Sequence, residues 1–307
     1  MGMDWRNLAM KLRPGRSPVQ IRFGRLAYIH VPKSAGTSII DALNHSLKPR
    51  CAVGGFDRSM FGGFDDFQSL GEPAARHVFL HAGALPARAD LIAGHFALST
   101  IQQRYPDAAV LMILREPQSR LLSHWTFWRS EAETPQPAWG TWTQRLTAAH
   151  GGFGDFLTDK RIACQTDNVA LRLLLWPHPL LPADGFIAPE HDAALLAAAS
   201  ARLAEVAHLN VSENPALASD LAAWLGRPFA MRRIKETLPV APRYSVMLAE
   251  QLTQTTQDAW QSRTRLDMAL WRMACAAVMP DADIAALTAT VRDLSVARYA
   301  KLLNRAA

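Results

Sequence analysis

The chain has 307 residues, of which 49% are hydrophobic and 20% are charged, and its formal net charge is +6. This composition is ordinary for a globular protein and excludes wholesale disorder. The positive charge favours anionic ligands without requiring nucleic acid, which we do not expect as a partner. The sequence has no run of the roughly 18 apolar residues that a membrane span needs, and the first residues lack the apolar core of a signal peptide.

The cysteines and the first residues bear on where the protein works. Cys51, Cys164 and Cys275 are far apart and odd in number, which is not a disulfide framework and fits a reducing compartment. We therefore expect a cytoplasmic protein. Residues 1–24 form a predicted basic arm, and residues 1–25 carry a net charge of +5. We interpret the arm as a solvated tail; weak contact with an anionic membrane surface or an acidic polymer is the alternative.

Short apolar strands alternate with amphipathic helices after the arm. Strands are predicted at 25–31, 89–96, 108–114 and 207–213, and helices at 37–47, 99–105, from Pro117 onward, 140–149, 166–176 and 191–206. The run 108–114 is continuously apolar, which is typical of a central parallel strand buried on both faces. This alternation predicts an α/β fold, a central parallel sheet flanked by helices. We expect a single domain over residues 25–307, with a helical C-terminal extension from about residue 216.

Residues 51–67 repeat the tetrapeptide Gly-Gly-Phe-Asp, at 54–57 and at 62–65. Four glycines and four phenylalanines in this segment predict an irregular loop. Its aromatic rings either pack beneath the loop or face a ligand as one wall of a binding site. We favour packing beneath the loop.

The segment YIHVPKSAGTSII, residues 28–40, collects a lysine, a glycine and three hydroxyl residues between a predicted strand and a predicted helix. Backbone N–H groups at a helix start, together with the helix dipole, form an anion site. Gly36 allows close approach of the backbone, Thr37 and Ser38 add donors, and Lys33 adds a charge. An ordinary strand-to-helix turn is the alternative, although such turns rarely combine these residues. The lysine precedes the glycine, whereas nucleotide hydrolases end this loop in Gly-Lys-Ser/Thr.

A second pair of polar residues follows the strand at 108–114. Arg115 lies at its carboxyl end, where open α/β sheets bind ligands, and Ser123 comes eight residues later in the next helix. A guanidinium and a hydroxyl placed in this way can converge on a second phosphate. Alternatively, Arg115 caps the sheet and Ser123 faces solvent. Together with the lysine loop, the pair would hold both ends of a nucleotide.

The segments HVPKSAGTS and LREPQSRLLSHW resemble the two nucleotide-binding signatures of the sulfotransferases. The resemblance covers roughly residues 26–128 and is to the family that includes the carbohydrate 2-O-sulfotransferases and bacterial relatives. It implies a P-loop-like sulfotransferase fold and 3′-phosphoadenosine 5′-phosphosulfate (PAPS) as the donor. Arg115 and Ser123 would bind its 3′-phosphate. The 5′-phosphosulfate would be bound by Lys33, Ser34, Ala35, Gly36, Thr37 and Ser38.

A base is needed to take the proton of the acceptor hydroxyl, and histidine suits this role near neutral pH. His95 follows the predicted strand at 89–96, and sulfotransferase relatives carry a similar Gly-His-Phe. The alternative is a structural histidine hydrogen-bonded beneath the sheet. The 2-O-sulfotransferases have a second histidine two residues earlier, where this chain has Ala93. Lys33 is the other predicted catalytic residue, because it would stabilise charge on the leaving oxygen.

Several functions remain open at this point. A carbohydrate or glycoconjugate is the first choice of acceptor, followed by tyrosine, a lipid or a small metabolite. A non-catalytic nucleotide-binding relative is another possibility, and the segment 51–67 would be the acceptor-side wall if its rings face a ligand. A nucleotide kinase would need Gly-Lys-Ser/Thr and a metal-binding carboxylate. No metal is expected, since no second acidic strand motif is present and the lysine and arginine already neutralise the ligand. Zinc is not expected either, because His77 and His81 lie in a strand-and-turn segment and do not share a helical face.

Overall fold

The computed structural model describes residues 24–134, 136–232 and 237–304. The basic arm predicted for residues 1–24 therefore lies outside the described residues except for Gly24. The strands are β1 (Leu26–Ile29), β2 (Ala52–Val53), β3 (Phe56–Asp57), β4 (Val78–Phe79), β5 (Leu91–Gly94), β6 (Ala109–Leu114) and β7 (His208–Val211).

The central sheet confirms the predicted parallel α/β architecture. Its strand order is β2-β5-β1-β6-β7, and all neighbouring strands are parallel. The short strands β3 and β4 form a separate parallel pair. The predicted buried strand is β6, which lies between β1 and β7 and is buried over Val110–Leu114.

Helices surround this sheet and make up most of the chain after β7. The α-helices are α1 (Gly36–Leu47), α2 (Glu72–Ala75), α3 (Leu98–Arg104), α4 (Pro117–Ser130), α5 (Thr143–Leu146), α6 (Phe153–Thr158), α7 (Ala163–Thr166), α8 (Val169–Leu175), α9 (Asp192–Leu203), α10 (Leu217–Leu225), α11 (Leu248–Gln251), α12 (Gln254–Val278) and α13 (Ile284–Leu303). Among the helices described, none combines the length and apolarity that a bilayer crossing requires.

The predicted helix at 140–149 is wrong as a continuous element. The chain forms a 3₁₀ segment over Pro137–Trp142, then α5, then a second 3₁₀ segment over Thr147–His150. The interruption is at Gly140, whose φ of 51° is left-handed and non-helical. A side chain there would collide with the Ser69 backbone, so this close approach requires glycine.

Side-chain alternation along the strands divides the core between the two faces of the sheet. Along β1, Ala27 and Ile29 point to one face, which is covered by α8, α9 and α12. Leu26 and Tyr28 point to the other face, which is covered by α1 and α10. The period of two in a strand thus separates two apolar layers on opposite sides of one sheet.

The helical C-terminal region is confirmed, and its last helix packs against the body of the protein. Tyr299 and Leu303 of α13 join an apolar cluster with Leu121 and Trp125 of α4. The Ser119 hydroxyl also donates a hydrogen bond to the Val291 carbonyl, at 3.3 Å. Helix α13 is therefore placed directly beside the helix that follows β6.

The strand order creates a ligand crevice at one edge of the sheet. The chain leaves β1 through α1 toward β2, whereas it leaves β6 through α4 toward β7 on the opposite side. The carboxyl ends of β1 and β6 therefore flank a topological switch point, which is where open α/β sheets bind ligands. The loop at 30–35 and Arg115 follow these two strands.

Candidate functional site

A cleft of about 1040 Å³ opens at this edge of the sheet, and we call it the sheet-edge cleft. It brings together most of the predicted site residues: Lys33, Ala35, Gly36, Thr37, Ser38, His95, Arg115 and Ser123. Ser34, also predicted, is fully buried and does not line the cleft. Its backbone N–H donates to the Val31 carbonyl at 3.2 Å, so this residue supports the loop from behind.

The lysine loop has an unusual backbone. Lys33 and Ala35 both adopt left-handed conformations, with φ values of 67° and 58°. This region costs a residue with a side chain about 1–2 kcal/mol. Such a turn directs successive N–H groups into a concavity that accepts anions, and the 12-residue helix α1 begins directly afterwards. No acidic residue occupies the first turn of α1 to compete with a bound anion.

Arg115 connects the two predicted phosphate sites. Its guanidinium Nη1 donates a hydrogen bond of 2.8 Å to the Lys33 carbonyl oxygen. Arg115 therefore stabilises the strained lysine loop while its side chain also lines the cleft. Sequence reasoning placed both residues at one edge of the sheet but missed this contact, because nothing in the local pattern pairs a guanidinium with a particular carbonyl.

Gly36 packs against the imidazole of His30, beneath the start of α1. A Cβ atom at residue 36 would lie within the His30 ring. That ring stacks on Tyr28 on one side and on His95 on the other, with centroid distances of 5.7 and 4.3 Å. The glycine thus allows the helix start to approach the ends of β1 and β5.

Replacing Gly36 with alanine is expected to lower the free energy of unfolding by about 1–3 kcal/mol, as overpacking of a core does. The stack between Tyr28 and His95 keeps the His30 ring from moving away from the new methyl group. Urea denaturation measures the effect. Gly24→Ala is the control, since nothing lies within 4 Å of a Cβ atom built there. Equal stability of the two variants would contradict the packing.

The structure assigns His95 a defined tautomer. Ile29 pairs with Gly94, so His30 and His95 follow directly on neighbouring strands. The His95 Nδ1 atom lies 2.7 Å from the His30 carbonyl oxygen. A carbonyl can only accept, so Nδ1 carries the proton and the lone pair is on Nε2. The ring is stacked between His30 and Phe56, the latter at 4.9 Å.

Burial sets the charge state of the histidines around the cleft. Burial lowers the pKa of His95 to about 4, so the ring is neutral at pH 7. Burial also lowers the pKa of His30, with contributions from His95 and Lys33, and that of His124, with a contribution from Arg120. The positive charge of the cleft therefore comes from its lysine and arginine side chains. Among the residues that the structure describes, the lysine and arginine side chains that line the cleft are Lys33, Arg115 and Arg298.

Ser123 has a partner on the last helix. The Tyr299 hydroxyl donates a hydrogen bond of 2.7 Å to the Ser123 Oγ atom. Both residues are 2% exposed and both line the cleft. Arg298 and Ser212 line it as well, from α13 and from the end of β7. Sequence reasoning missed these residues, since the pattern of α13 contains no motif that marks them.

The phenylalanine rings of segment 51–67 pack beneath the loop, and some of them also line the cleft. Packing beneath the loop is confirmed for Phe61 and Phe64, which are 1% and 6% exposed. Phe56 and Phe61 also line the cleft, together with Trp139, whose ring meets Phe56 edge-on at 5.4 Å. The segment is irregular apart from two short strands and a 3₁₀ turn: β2 joins the central sheet, β3 pairs with β4, and the turn covers Arg58–Met60.

The cleft thus combines the positively charged side chains of Lys33 and Arg115 with the aromatic rings of Phe56, Phe61 and Trp139, and His95 lines it as well. In the described parts of the chain, no group of three or more histidine, cysteine, aspartate or glutamate side chains is placed to hold a metal ion. Such a cleft can bind a diphosphorylated ligand through Lys33, Arg115 and Ser123. The neutral imidazole of His95 can accept a proton. No protein-family model matches the chain, and no curated protein matches it significantly.

Proposed function

We propose that this protein is a PAPS-dependent sulfotransferase that moves the sulfuryl group to an acceptor hydroxyl, with a carbohydrate or glycoconjugate as the first choice of acceptor. The observation that carries the proposal is the convergence, in one cleft, of the lysine loop, the pair Arg115 and Ser123, and His95. The resemblance of the two segments to sulfotransferase signatures supports the same function.

The two anion sites match the two charged ends of the donor. The 5′-phosphosulfate would lie against the lysine loop and the start of α1, where backbone N–H groups and Lys33 balance its charge. The 3′-phosphate would lie between Arg115 and Ser123. The cleft of about 1040 Å³ is at the upper end of ligand-site volumes, which leaves room for an acceptor beside the nucleotide.

The transfer step follows from the protonation state of His95. The Nε2 lone pair takes the proton of the acceptor hydroxyl as its oxygen attacks sulfur. The bond from sulfur to the bridging oxygen breaks, and the electron pair stays on the departing 5′-phosphate. Lys33 and the loop N–H groups stabilise this charge as it develops. Positioning of acceptor and donor in line supplies most of the remaining rate enhancement.

The Lys33 ammonium has a defined position before the ligand binds. Its Nζ atom lies 3.9 Å from the centre of the Phe127 ring on α4. A cation over an aromatic face is stabilised by the ring quadrupole. This contact holds the charge at the cleft wall, so little side-chain ordering remains when an anion enters.

A nucleotide kinase is less well supported by the arrangement. It would require a carboxylate beside the loop to hold a metal ion. Glu116, next to Arg115, is buried and instead caps α4 by accepting hydrogen bonds from the N–H groups of Gln118 and Ser119.

A reducing cytoplasm is the compartment we propose, because Cys51 and the two other cysteines are free thiols.

Thermal unfolding with added nucleotides tests the proposal. Adenosine 3′,5′-bisphosphate should raise the melting temperature, since a ligand at a hundredfold excess over its dissociation constant stabilises by about 2.7 kcal/mol. Lys33→Ala should remove most of this response. The proposal is wrong if ATP with magnesium raises the melting temperature while the bisphosphate does not. Transfer assays with carbohydrate, tyrosine, lipid and small-metabolite hydroxyls then identify the acceptor.

A further inference from the structure

We propose that Tyr299, on the last helix, is a positioning residue of the second phosphate site. Its hydroxyl holds Ser123 so that the Ser123 O–H points into the cleft, toward the 3′-phosphate of the bound nucleotide. The inference rests on the proposed function and assigns part of the nucleotide site to α13, a helix outside both sequence signatures.

The hydrogen-bond geometry defines which group donates. Tyr299 donates to Ser123 Oγ at 2.7 Å, and both side chains are almost fully buried. A serine hydroxyl has one proton and two lone pairs. With tyrosine donating to one lone pair, the serine proton must point to another acceptor. Since Ser123 lines the cleft, a phosphate oxygen bound there is such an acceptor.

Other hydroxyls of α4 have a different partner. Thr126 donates to the Leu122 carbonyl at 2.9 Å, and Ser130 donates to the Phe127 carbonyl at 2.8 Å. These bonds to the helix backbone are the usual local alternative for serine and threonine. Within the described residues, no backbone carbonyl takes the proton of Ser123. Its donor capacity is therefore kept for a ligand.

Helix α13 holds the tyrosine in place before the nucleotide arrives. The Val240 N–H donates to the Leu302 carbonyl at 3.0 Å, and the Val246 N–H donates to the Leu303 carbonyl at 3.1 Å. Leu303 is fully buried in the cluster shared with α4. A donor fixed in this way costs little entropy on binding, which is the advantage of a preorganised site.

The test measures dissociation constants for adenosine 3′,5′-bisphosphate and for adenosine 5′-phosphate, which lacks the 3′-phosphate. Calorimetry on Tyr299→Phe should show that the preference for the bisphosphate falls about threefold or more, because the serine hydroxyl regains its three staggered orientations. Affinity for the 5′-phosphate should not change. Ser123→Ala should lower the same preference about tenfold or more, as loss of a hydrogen bond to a charged group does.

Two further variants separate positioning from structural support. In the Ser123→Ala background, Tyr299→Phe should cause no additional loss of preference, because its effect passes through Ser123. Tyr105→Phe is the matched control: this tyrosine is buried and donates to the Pro86 carbonyl at 2.6 Å, away from the cleft. It should leave the preference unchanged even if the melting temperature falls.

The possible failures are distinguishable. If the wild-type protein prefers the bisphosphate and Tyr299→Phe leaves that preference unchanged, or weakens both nucleotides equally, Tyr299 is not a positioning residue although the proposed function stands. If the wild-type protein binds the bisphosphate no better than the 5′-phosphate, the proposed function and this inference are both wrong. Circular dichroism verifies that Tyr299→Phe is folded. If it is not, Ser123→Ala still decides: an unchanged preference for the bisphosphate in that variant would overturn the inference, because the effect of Tyr299 passes through Ser123.

Discussion

Replacing His95 with glutamine is expected to reduce sulfuryl transfer by about 10²–10⁴-fold, the usual contribution of a general base. Binding of adenosine 3′,5′-bisphosphate should remain, because His95 is not part of either phosphate site. Transfer should fall because the wild-type tautomer is fixed: the Nδ1 proton bonds to the His30 carbonyl, and Nε2 keeps the lone pair that accepts the acceptor's proton. A transfer assay and calorimetry on the same preparation measure both quantities.

The control for this variant is His208→Gln. His208 lies in β7, stacks on Trp224 with a centroid distance of 4.8 Å, and has a pKa that burial lowers to about 4. It resembles His95 in burial and aromatic contact but does not line the cleft. Its replacement should preserve transfer. Unchanged transfer in His95→Gln would show that His95 is not the base.

The pH dependence of transfer by the wild-type protein is a second readout of the role of His95. The lowered pKa keeps His95 neutral above about pH 4, so kcat/KM should stay level as the pH falls from 7 to about 5. A midpoint near the ordinary histidine value of 6.5 would contradict this state. The pKa of His95 is lower in the folded than in the unfolded state, so its contribution to the free energy of unfolding is fully present above pH 6.5 and is lost as the pH falls toward 4. Folding is therefore verified at each pH.

Replacing Arg115 with alanine is expected to weaken binding of adenosine 3′,5′-bisphosphate by about 30-fold or more, which corresponds to the roughly 2 kcal/mol or more typical of a lost hydrogen-bonded charge. Two effects add. The 3′-phosphate loses its guanidinium, and the Lys33 carbonyl loses its 2.8 Å donor, so the left-handed loop is less well fixed. Calorimetric titration measures the dissociation constant.

Two variants sharpen the interpretation of the Arg115 result. Arg115→Lys keeps the charge but not the planar fork that can contact a carbonyl and a phosphate together, so an intermediate affinity is expected. Arg104→Ala is the control, since Arg104 likewise donates to a carbonyl, that of Leu85 at 2.9 Å, but lies outside the cleft. Wild-type affinity in Arg115→Ala, or an equal loss in Arg104→Ala, would rule out a role in nucleotide binding.

The local elements around this site were predictable from the sequence pattern. The continuous apolar run of β6 and the segment at 28–40 identify a buried parallel strand and a strand-to-helix loop. The helix at 140–149 was predicted wrongly because its residue preferences are helical, whereas Gly140 must pass close to Ser69, which is distant in the chain. Local propensity is a weak guide where a tertiary contact sets the backbone.

The amino-acid sequence by itself determined β1, β5, β6 and β7 and the order in which Lys33, His95, Arg115 and Ser123 follow these strands, because such features depend on neighbours a few residues apart. Only the tertiary structure decided the contacts that join them. Arg115 meets the Lys33 carbonyl across 82 residues, and Tyr299 meets Ser123 across 176. Such pairs form only when separate strands and helices pack, and no local period in the sequence specifies which side chains will then be adjacent.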